Sequence, residues 1–375
     1  MLSQIVTGPA IRDARGSRRA GSGRRAARCV AAVLLLSGLL AACASSDDRT
    51  GVSLILKTQT NPYFVSMRKA ALEQADKSNV HLSVAAGTAD GDTQNQINEI
   101  YTAIARGDKG ILITSNGDAV NAALRQAKDA GLYVSALDTP LAPANTADIT
   151  FATDNREAGR LIGKYTAARL NGKPAVIAML DLYNDQVVSV DTNRDQGFLE
   201  GMGIKLGKST SQNGLEPRKG KYTGGKGGSY EVVCHRPTQG AIDGGRTAME
   251  QCLSANSKVN VVYSINEPAG QGAYAALKAA GKQKQAFVVT IDGSCQGIGL
   301  VKSGVFAADS VQYPGRMAQL GVSSVAKIAA GGEPPANTSG KEFYDTGTKM
   351  TTASPVRGVK YQRPEDAQKK CWGTP

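Results

Sequence analysis

Histidine is scarce in this chain, and that scarcity narrows the chemistry that the sequence can support. His81 and His235 are the only two histidines among 375 residues, and neither lies near a G-x-S-x-G nucleophile signature. The Cys234-His235 pair would suit zinc, but no second ligand pair follows at the spacing of a zinc site. We therefore predict neither a metal site nor a cofactor.

Two glycine-rich segments fall short of nucleotide-binding signatures. Gly220 and Gly225-Lys226 nearly spell a phosphate loop, but Gly227 stands where serine or threonine is required, and no strand precedes the segment. Gly270-x-Gly272 lies within a predicted helix and is weak evidence for a dinucleotide site. Neither segment indicates an enzyme.

Clusters of basic residues are missing beyond residue 42. The formal net charge is +12, and residues 1–42 contribute +6 of it through seven arginines and one aspartate. The remaining +6 is spread along the chain without basic runs, whereas nucleic-acid-binding proteins concentrate such charge on one helix or stripe. We do not expect a nucleic-acid partner.

The apolar run near the N-terminus is too short to cross a bilayer. Residues 30–40 (VAAVLLLSGLL) are apolar, whereas a membrane-spanning helix needs about 20 residues. The run precedes Leu40-Ala41-Ala42-Cys43, which resembles the lipobox of bacterial lipoproteins, where cleavage before the cysteine leaves a thiol that carries diacylglycerol. A basic region comes before the run and contains Arg18, Arg19, Arg24, Arg25 and Arg28.

These features predict an exported lipoprotein. Residues 1–42 form the signal peptide, Cys43 is the lipid anchor, and residues 43–50 (CASSDDRT) are a polar tether. The lipid then holds the protein on the outer face of the cell membrane. A plain secretory signal is the alternative, and the long basic region leaves open a start after Met1 or twin-arginine export.

Six cysteines are present, of which Cys29 leaves with the signal and Cys43 is lipidated. An even number remaining in an exported protein implies disulfides, and four cysteines allow three connectivities. We favour one bond that closes a short loop and a second that pins the C-terminus. The favoured pairs are Cys234 with Cys252 and Cys295 with Cys371.

Strand-length apolar runs alternate with helical patterns from residue 52 onward. Runs such as residues 52–56, 111–113 and 132–137 are apolar throughout, as are parallel strands that are covered on both faces. The number of these units predicts an α/β fold with two doubly wound domains, the first ending near residues 151–154. Residues 205–230, rich in Gly, Lys and Ser, are predicted to form a long exposed loop.

Polar and aromatic residues follow the ends of these strands, where open parallel sheets bind ligands. Hydrogen-bonding groups of both kinds, with two aromatic rings to cover apolar C–H faces, suit a polyol. Each residue alone is also explained as a helix cap or core residue, so the prediction rests on their coincidence. The predicted set is Lys57, Asn61, Tyr63, Phe64, Thr114, Asp138, Arg194, Asn266, Asp292 and Gln312.

Asp138 and Asp292 fall in different predicted domains, so one ligand would bridge both. Paired carboxylates also cleave glycosides in some enzymes, which require one of the pair to be held protonated. Nothing in the sequence around either aspartate indicates that, so we predict a binding protein and not an enzyme.

Six short segments along residues 51–373 form a recognisable series. The segments are Lys57-Thr-Gln-Thr-Asn-Pro-Tyr-Phe64, Leu137-Asp-Thr-Pro140, Phe151-Ala-Thr-Asp-Asn155, Arg194-Asp-Gln-Gly-Phe198, Asn266-Glu-Pro268 and Ile291-Asp-Gly293. Together they resemble the type I sugar-binding proteins of ATP-binding-cassette importers. The resemblance is strongest to the fructose-binding subgroup, which shares the strand Ala178-Met-Leu-Asp-Leu182 and the ending Cys371-Trp-Gly373.

The resemblance implies two lobes joined by a three-segment hinge, which close on one monosaccharide. The N-terminal lobe would contain residues 51–153 and about 313–342, and the C-terminal lobe residues 154–312 and about 343–375. It also implies a monomer that delivers its ligand to a membrane permease. Eight residues fall on sugar contacts of the ribose-binding branch: Asn61, Tyr63, Phe64, Asp138, Arg194, Asn266, Asp292 and Gln312.

Two departures bear on the ligand, and the second adds Thr139 to the ten predicted site residues. Lys57 stands where the ribose-binding branch has serine, and Thr139 stands where it has a sugar-contacting arginine. We therefore expect fructose to bind tightest and ribose more weakly, with a broad pentose, hexose and polyol binder as the alternative. A sensor that presents its sugar to a membrane receptor is a second alternative. A repressor of the same fold would need an N-terminal helix-turn-helix, where this chain has an export signal.

Overall fold

The computed structural model describes residues 48–206 and 212–373. The predicted signal peptide, Cys43 and most of the tether lie outside the described residues. Within the described residues, every helix is too short or too polar to cross a membrane.

Strands and helices alternate along nearly the whole described chain. The strands are β1 (Thr50–Leu56), β2 (Val80–Ala86), β3 (Gly110–Ile113), β4 (Tyr133–Leu137), β5 (Ile149–Ala152), β6 (Ala175–Asp181), β7 (Lys219–Tyr222), β8 (Gly228–Pro237), β9 (Val261–Ser264), β10 (Phe287–Asp292), β11 (Phe306–Val311), β12 (Tyr344–Asp345) and β13 (Lys349–Thr351). The α-helices are α1 (Pro62–Lys77), α2 (Thr93–Arg106), α3 (Asn121–Asp129), α4 (Asn155–Leu170), α5 (Ser189–Met202), α6 (Ile242–Ala255), α7 (Glu267–Ala279), α8 (Cys295–Lys302), α9 (Pro314–Ala329) and α10 (Pro364–Gln368).

The first lobe is built on a six-stranded parallel sheet in the order β12-β5-β4-β3-β1-β2. Helices α1 and α9 pack side by side and cover one face, where Leu54, Met67 and Val322 belong to one apolar cluster. Ile113 and Leu124 belong to a second cluster on the other face, beneath α2 and α3. Both faces are therefore buried, which explains why these strands are apolar throughout.

The second lobe has a seven-stranded sheet in the order β13-β11-β10-β9-β6-β8-β7. Its inner strands are parallel, and the two outermost pairs, β13 with β11 and β7 with β8, are antiparallel. Helices α4 and α5 pack together over one face, and α6 and α7 over the other. The predicted α/β fold with two doubly wound sheets is confirmed.

The chain passes between the sheets three times. It leaves the first sheet after β5, returns from β11 to α9, and crosses finally between Asp345 of β12 and Lys349 of β13. The last crossing lies a few residues beyond the predicted boundary near residue 342, because β12 first pairs with β5. The limits of the lobes as separate domains stay a prediction.

Part of the exposed loop that we predicted over residues 205–230 is instead a β-hairpin, from residue 219 onward. Here β7 and the start of β8 form an antiparallel hairpin at the sheet edge. Only Tyr222 and Tyr230 carry large apolar rings inward, while Lys219 and Lys221 face outward on the edge strand. Charged residues protect an edge strand from pairing with other chains. They also interrupt the apolar pattern from which a strand is predicted, so this strand was not recognised in the sequence.

Both favoured disulfides are present. Cys234 on β8 is bonded to Cys252 on α6, and Cys295 at the start of α8 is bonded to Cys371. Next to the second bond, the Cys295 N–H donates to the backbone oxygen of Trp372 at 2.9 Å. The described C-terminal end is thus fixed to the second lobe, as we predicted.

Candidate functional site

A small cavity lies between the lobes, at the carboxyl ends of strands from both sheets. Nine of the eleven predicted site residues line it, and four further residues complete the wall. The predicted nine are Lys57, Asn61, Tyr63, Phe64, Asp138, Arg194, Asn266, Asp292 and Gln312. The four that the sequence did not indicate are Asp90, Leu182, Val190 and Ile265.

The start of α1 places two aromatic rings in the wall. Asn61 caps this helix, and its Oδ1 accepts the N–H of Tyr63 at 3.0 Å. Tyr63 and Phe64 therefore lie in the first helical turn, and their rings meet edge to face with centroids 5.3 Å apart. The cap and the aromatic wall are one local structure, so Asn61 serves the helix as well as the cavity.

Asp138 is held in position from two sides of the first lobe. Its Oδ1 accepts the phenol hydrogen of Tyr63 at 2.8 Å, and its Oδ2 accepts the hydroxyl of Thr139 at 3.0 Å. Burial, together with the neighbouring carboxylate, raises the pKa of Tyr63 well above its usual value. The phenol consequently stays protonated and donates. Asp138 also has a left-handed backbone (φ 64°), which directs the chain sharply away from β4.

Thr114 and Thr139, the two predicted residues that do not line the cavity, are bonded to residues that do. Thr139 binds Asp138 as described, and the hydroxyl of Thr114 accepts the backbone N–H of Lys57 at 2.9 Å. Lys57 itself is almost fully buried, and no ion pair to its ammonium is found within the described part of the chain. Its charge is therefore available to a ligand or to Asp90, whose pKa is raised by burial and only partly lowered again by Lys57.

Arg194 comes from α5 in the second lobe and reaches toward the first. Its Nε donates to Asn155 at 2.8 Å and its Nη1 to the backbone oxygen of Ile265 at 3.0 Å. The remaining Nη2 lies 3.9 Å from Oδ1 of Asp138. Because both partners are buried, this is a charge contact across the cleft in a weakly screened environment.

Asp292 at the end of β10 provides the second carboxylate. It accepts the N–H of Glu267 at 3.2 Å and the amide of Gln312 at 2.9 Å. Burial raises the pKa of Asp292 to about 7, although Arg194 acts in the opposite direction. No sequence pattern indicated a carboxylate with a raised pKa, because the burial that raises the pKa comes from the tertiary structure.

Asn266 is a helix cap, which is the alternative explanation for a polar residue at the end of a strand. Its Oδ1 accepts the N–H of Ala269 at 3.1 Å and so caps α7, while its Nδ2 donates to the backbone oxygen of Gly240 at 3.0 Å. Asn266 lines the cavity, but its two polar atoms already have protein partners. Its contribution to a ligand is therefore secondary to its role as a cap.

Asp90 is the main site residue that the sequence reading missed. It follows β2 within the same lobe as Asp138, and its Oδ1 accepts the phenol hydrogen of Tyr183 from the second lobe at 2.5 Å. Burial raises the pKa of Asp90. The signal was available, since polar residues after β2 obey the rule applied to the other strands. The apolar Leu182, Val190 and Ile265 gave no comparable signal.

A second hydrogen bond also joins the lobes. The hydroxyl of Ser189, at the start of α5, donates to the backbone oxygen of Pro140 at 2.6 Å. With the Tyr183–Asp90 bond and the Arg194–Asp138 contact, it holds the lobes closed over the cavity. The enclosed wall offers three carboxylates, a lysine, an arginine, amides and aromatic rings, which suits a small ligand with several hydroxyls.

The described sequence matches a known family over most of its length. Residues 52–333 match the model of the periplasmic binding protein domain. The ribose import binding protein of Salmonella typhimurium is 28% identical over 315 residues, covering 82% of this chain and 93% of that protein. The D-ribose/D-allose-binding protein of Pseudomonas aeruginosa is 25% identical over 342 residues, covering 87% of this chain and 98% of that protein.

Solved structures share the fold. A periplasmic solute-binding protein of an ABC transporter from Actinobacillus succinogenes, with bound D-allose, superposes with a TM-score of 0.67 at 21% identity, covering 86% of this chain and 100% of that one. A solute-binding protein from Agrobacterium vitis with bound D-fucose gives a TM-score of 0.69 at 20% identity, covering 86% and 99%. At these identities the likeness concerns the fold.

Proposed function

Because the chain belongs to the family of periplasmic binding protein domains, we propose that it is the sugar-binding subunit of an ATP-binding-cassette importer. It is a binding protein and not an enzyme, and it acts outside the cytoplasm. One monosaccharide is captured between the lobes and passed to a membrane permease. The observation that carries this proposal is the pair Asp138 and Asp292, which reach one enclosed cavity from opposite lobes.

The cavity has a hydrogen-bond acceptor from each lobe and a donor between them. Asp138, fixed by Tyr63 and Thr139, accepts hydroxyl hydrogens in the first lobe. Asp292, fixed by Gln312, does so in the second lobe. Arg194 donates between them, since two of its nitrogens are bound to the protein and its Nη2 faces Asp138. A sugar that satisfies both carboxylates bridges the lobes and thereby favours the closed form.

The proposed ligand is fructose, with ribose binding more weakly. Lys57 contributes a long donor at the first strand end, and Thr139 is turned toward Asp138 and adds no fork of donors to the cavity. The curated relatives are named for ribose and allose. Those names make a broad binder of pentoses and hexoses the alternative outcome of a titration series.

Calorimetric titration of the purified protein with fructose, ribose, allose and xylitol tests the function and its specificity together. We expect Asp138→Ala and Asp292→Ala each to abolish binding while the circular dichroism spectrum stays native, because buried hydroxyls then lose a charged acceptor. Asp76→Ala, an exposed position on α1, is the matched control. Near-native affinity in both cavity variants would refute the site, whereas a different sugar order would refute only the specificity.

The proposed location is the outer face of the cell membrane, with Cys43 as the lipid anchor. This proposal rests on the sequence of the signal and the polar tether. The position of β1 is compatible with it, because the folded domain begins at Thr50, a few residues after Cys43. A short tether of this kind keeps the binding protein close to its permease.

A further inference from the structure

A second cluster of charged side chains lies in the second lobe, away from the sugar cavity. Three carboxylates surround the imidazole of His235, a residue of β8, and a fourth, Asp191, lies near two of them. The imidazole and the nearest three carboxylates are largely buried. The four acids are Asp181 at the end of β6, Asp191 and Asp195 on successive turns of α5, and Glu216 before β7.

The imidazole is oriented as in many metal sites. Its Nε2 lies 2.7 Å from Oε1 of Glu216, while its Nδ1 faces Oδ2 of Asp181 at 2.7 Å and Oδ2 of Asp195 at 3.6 Å. A histidine that binds a metal through one nitrogen commonly donates its other N–H to a carboxylate, which fixes the tautomer and the ring plane. Glu216 is placed for that second role, and Asp181 and Asp195 share the side of Nδ1.

Asp195 supplies an independent sign that a cation belongs here. Its side chain is only 1% exposed, yet neither of its oxygens has a hydrogen-bond partner among the described residues. The same holds for Oδ1 of Asp181. Buried polar oxygens are nearly always satisfied, so three unsatisfied carboxylate oxygens beside one imidazole indicate a missing ligand. Asp191 differs, because its oxygens accept the N–H groups of Leu182 and Tyr183.

The cluster is also accessible. A polar cavity of about 360 Å³ is lined by Asp181, Asp191 and His235 on one side and by the exposed Asp185 on another. It offers an entry path for an ion and room for water to complete its coordination. This cavity is separate from the sugar cavity, whose lining contains neither Asp181 nor His235.

We propose that Asp181, Asp195 and His235 bind one divalent transition-metal ion, with zinc as the best match. Their ligand atoms all lie within 4.8 Å of one another, so small side-chain rotations bring them to the coordination distances of about 2.0–2.2 Å. One imidazole with two carboxylates favours zinc or a similar ion, whereas calcium and magnesium prefer oxygen ligands alone.

The bound ion ties three elements together behind the sugar site. Asp181 belongs to β6, His235 to β8 and Asp195 to α5, which also carries Arg194. The metal is thus a structural ion that holds the helix from which Arg194 enters the cleft, and it does not touch the sugar. Sequence spacing conceals the site, because its ligands lie 14 and 40 residues apart in the chain.

Zinc titration of the protein, purified without a histidine tag and stripped with EDTA, tests the proposal. We expect one zinc ion per chain by elemental analysis and a rise in the unfolding temperature that calcium at the same concentration does not give. Asp195→Asn and His235→Gln should weaken zinc binding at least tenfold. Asp185→Asn, which changes a carboxylate of the same cavity outside the ligand set, should bind as the unchanged protein does.

The two histidines allow a test that needs no variant. In a nitrogen-15 spectrum of the unchanged protein, zinc should shift the Nδ1 signal of His235 and leave that of His81 unaltered. Failure of the unchanged protein to take up zinc, or a shift of neither histidine signal, would overturn the proposal. The carboxylates and the imidazole would then be held together by shared protons and not by a metal ion. Equal zinc binding by folded Asp195→Asn and His235→Gln would overturn the proposal as well.

Discussion

The phenol of Tyr183 in the second lobe donates a hydrogen bond to Asp90 in the first lobe over 2.5 Å. Asp90 lines the sugar cavity, so this bond joins the lobes where the ligand is enclosed. The proposed function requires the lobes to open and close, and a bond between them exists only in the closed form. The bond therefore contributes to the closed form and to retention of the ligand.

Tyr183→Phe should accordingly weaken sugar binding about tenfold or more, mainly through faster release. The variant loses a hydrogen bond to a charged group, which contributes about 1.5–3 kcal/mol, and leaves Asp90 buried without that donor. Stopped-flow release and calorimetry measure the two quantities. Tyr361→Phe, at an exposed tyrosine, is the control. An unchanged release rate in Tyr183→Phe would show that the bond between Tyr183 and Asp90 does not retain the ligand.

The protonation of Asp292 should make the stability of the sugar-free protein depend on pH. Burial raises the pKa of Asp292 from 3.8 to about 7 in the folded protein. A raised folded-state pKa stabilises the folded state fully below about pH 4, and this contribution is lost as the pH rises through 7. The charged groups that face Asp292 are Arg194, Asp309, Asp138 and Glu267.

We therefore expect the free energy of unfolding to fall between about pH 4 and pH 7, and Asp292→Asn to reduce that slope. One proton accounts for at most about 1.4 kcal/mol per pH unit. Denaturant titrations at several pH values measure the slope. Asn keeps an acceptor for the N–H of Glu267, so the variant should fold. Identical slopes in both proteins would show that Asp292 is ionised throughout this range.

Most residues of the candidate site could be predicted from the sequence, because a simple rule locates the cavity that they line. Ligands bind at the carboxyl ends of parallel strands, and strands can be recognised from their apolar runs. That rule found Asp138 and Asp292, which lie at equivalent places in the two sheets. It would also have found Asp90, but the segment after β2 contains several polar residues and nothing in their order singles out one.

Other features depend on contacts that a linear pattern does not contain. Asn266 and Asn61 serve as helix caps as well as cavity residues, and only the structure shows which polar atoms are already occupied. The hairpin of β7 and β8 has polar outward faces, so its apolar pattern is weak. The cluster around His235 joins residues of β6, α5 and β8, and the sequence does not reveal that β6 and β8 are neighbours in the sheet.

The disulfide near the C-terminus should matter for both stability and sugar affinity. Cys295 and Cys371 are 76 residues apart in sequence, and their bond fixes Trp372, whose ring meets Tyr63 edge to face with centroids 5.3 Å apart. The indole of Trp372 also donates to the backbone oxygen of Asp292 at 3.2 Å. Tyr63 and Asp292, which the side chain of Trp372 contacts, both line the sugar cavity.

Replacing both of these cysteines by serine should cost about 2–5 kcal/mol of unfolding free energy and weaken sugar binding several-fold. The matched control replaces Cys234 and Cys252, which lie 18 residues apart on β8 and α6, and should lower stability without changing sugar affinity. Thermal unfolding and calorimetry provide the two readouts. Equal loss of affinity in the two double variants would mean that Trp372 has no special effect on the site.

Cys43→Ala should release the protein from the membrane while leaving its sugar affinity unchanged. The prediction follows from the lipobox-like Leu40-Ala41-Ala42-Cys43, since a lipid chain on the cysteine would anchor the exported chain after cleavage and no helix among the described residues could cross a membrane. Fractionation followed by immunoblotting locates the protein. Ser45→Ala within the tether is the control, and a Cys43→Ala variant that still sediments with membranes would refute the anchor.

The proposed preference for fructose depends on Lys57 and Thr139, and exchanging both tests it directly. Lys57 is 2% exposed and lines the cavity, so its ammonium has little alternative to contact with a ligand or with Asp90. Thr139 donates to Asp138 and lies just outside the cavity lining. An arginine there would supply a planar fork of five donors, and a serine in place of Lys57 would withdraw one long donor.

The double variant Lys57→Ser/Thr139→Arg should shift the ratio of fructose to ribose affinity toward ribose by about tenfold or more. A site built to bind a given hydroxyl discriminates strongly against a sugar that lacks it, so moving the donors changes which sugar leaves a polar group unpaired. Lys69→Ser on the exposed face of α1 controls for the loss of charge. Calorimetry with both sugars gives the ratio directly. If both affinities fell by the same factor, Lys57 and Thr139 would support the cavity without selecting the sugar. Discrimination between the sugars would then have to come from other residues of the cavity, such as Asp138 and Arg194.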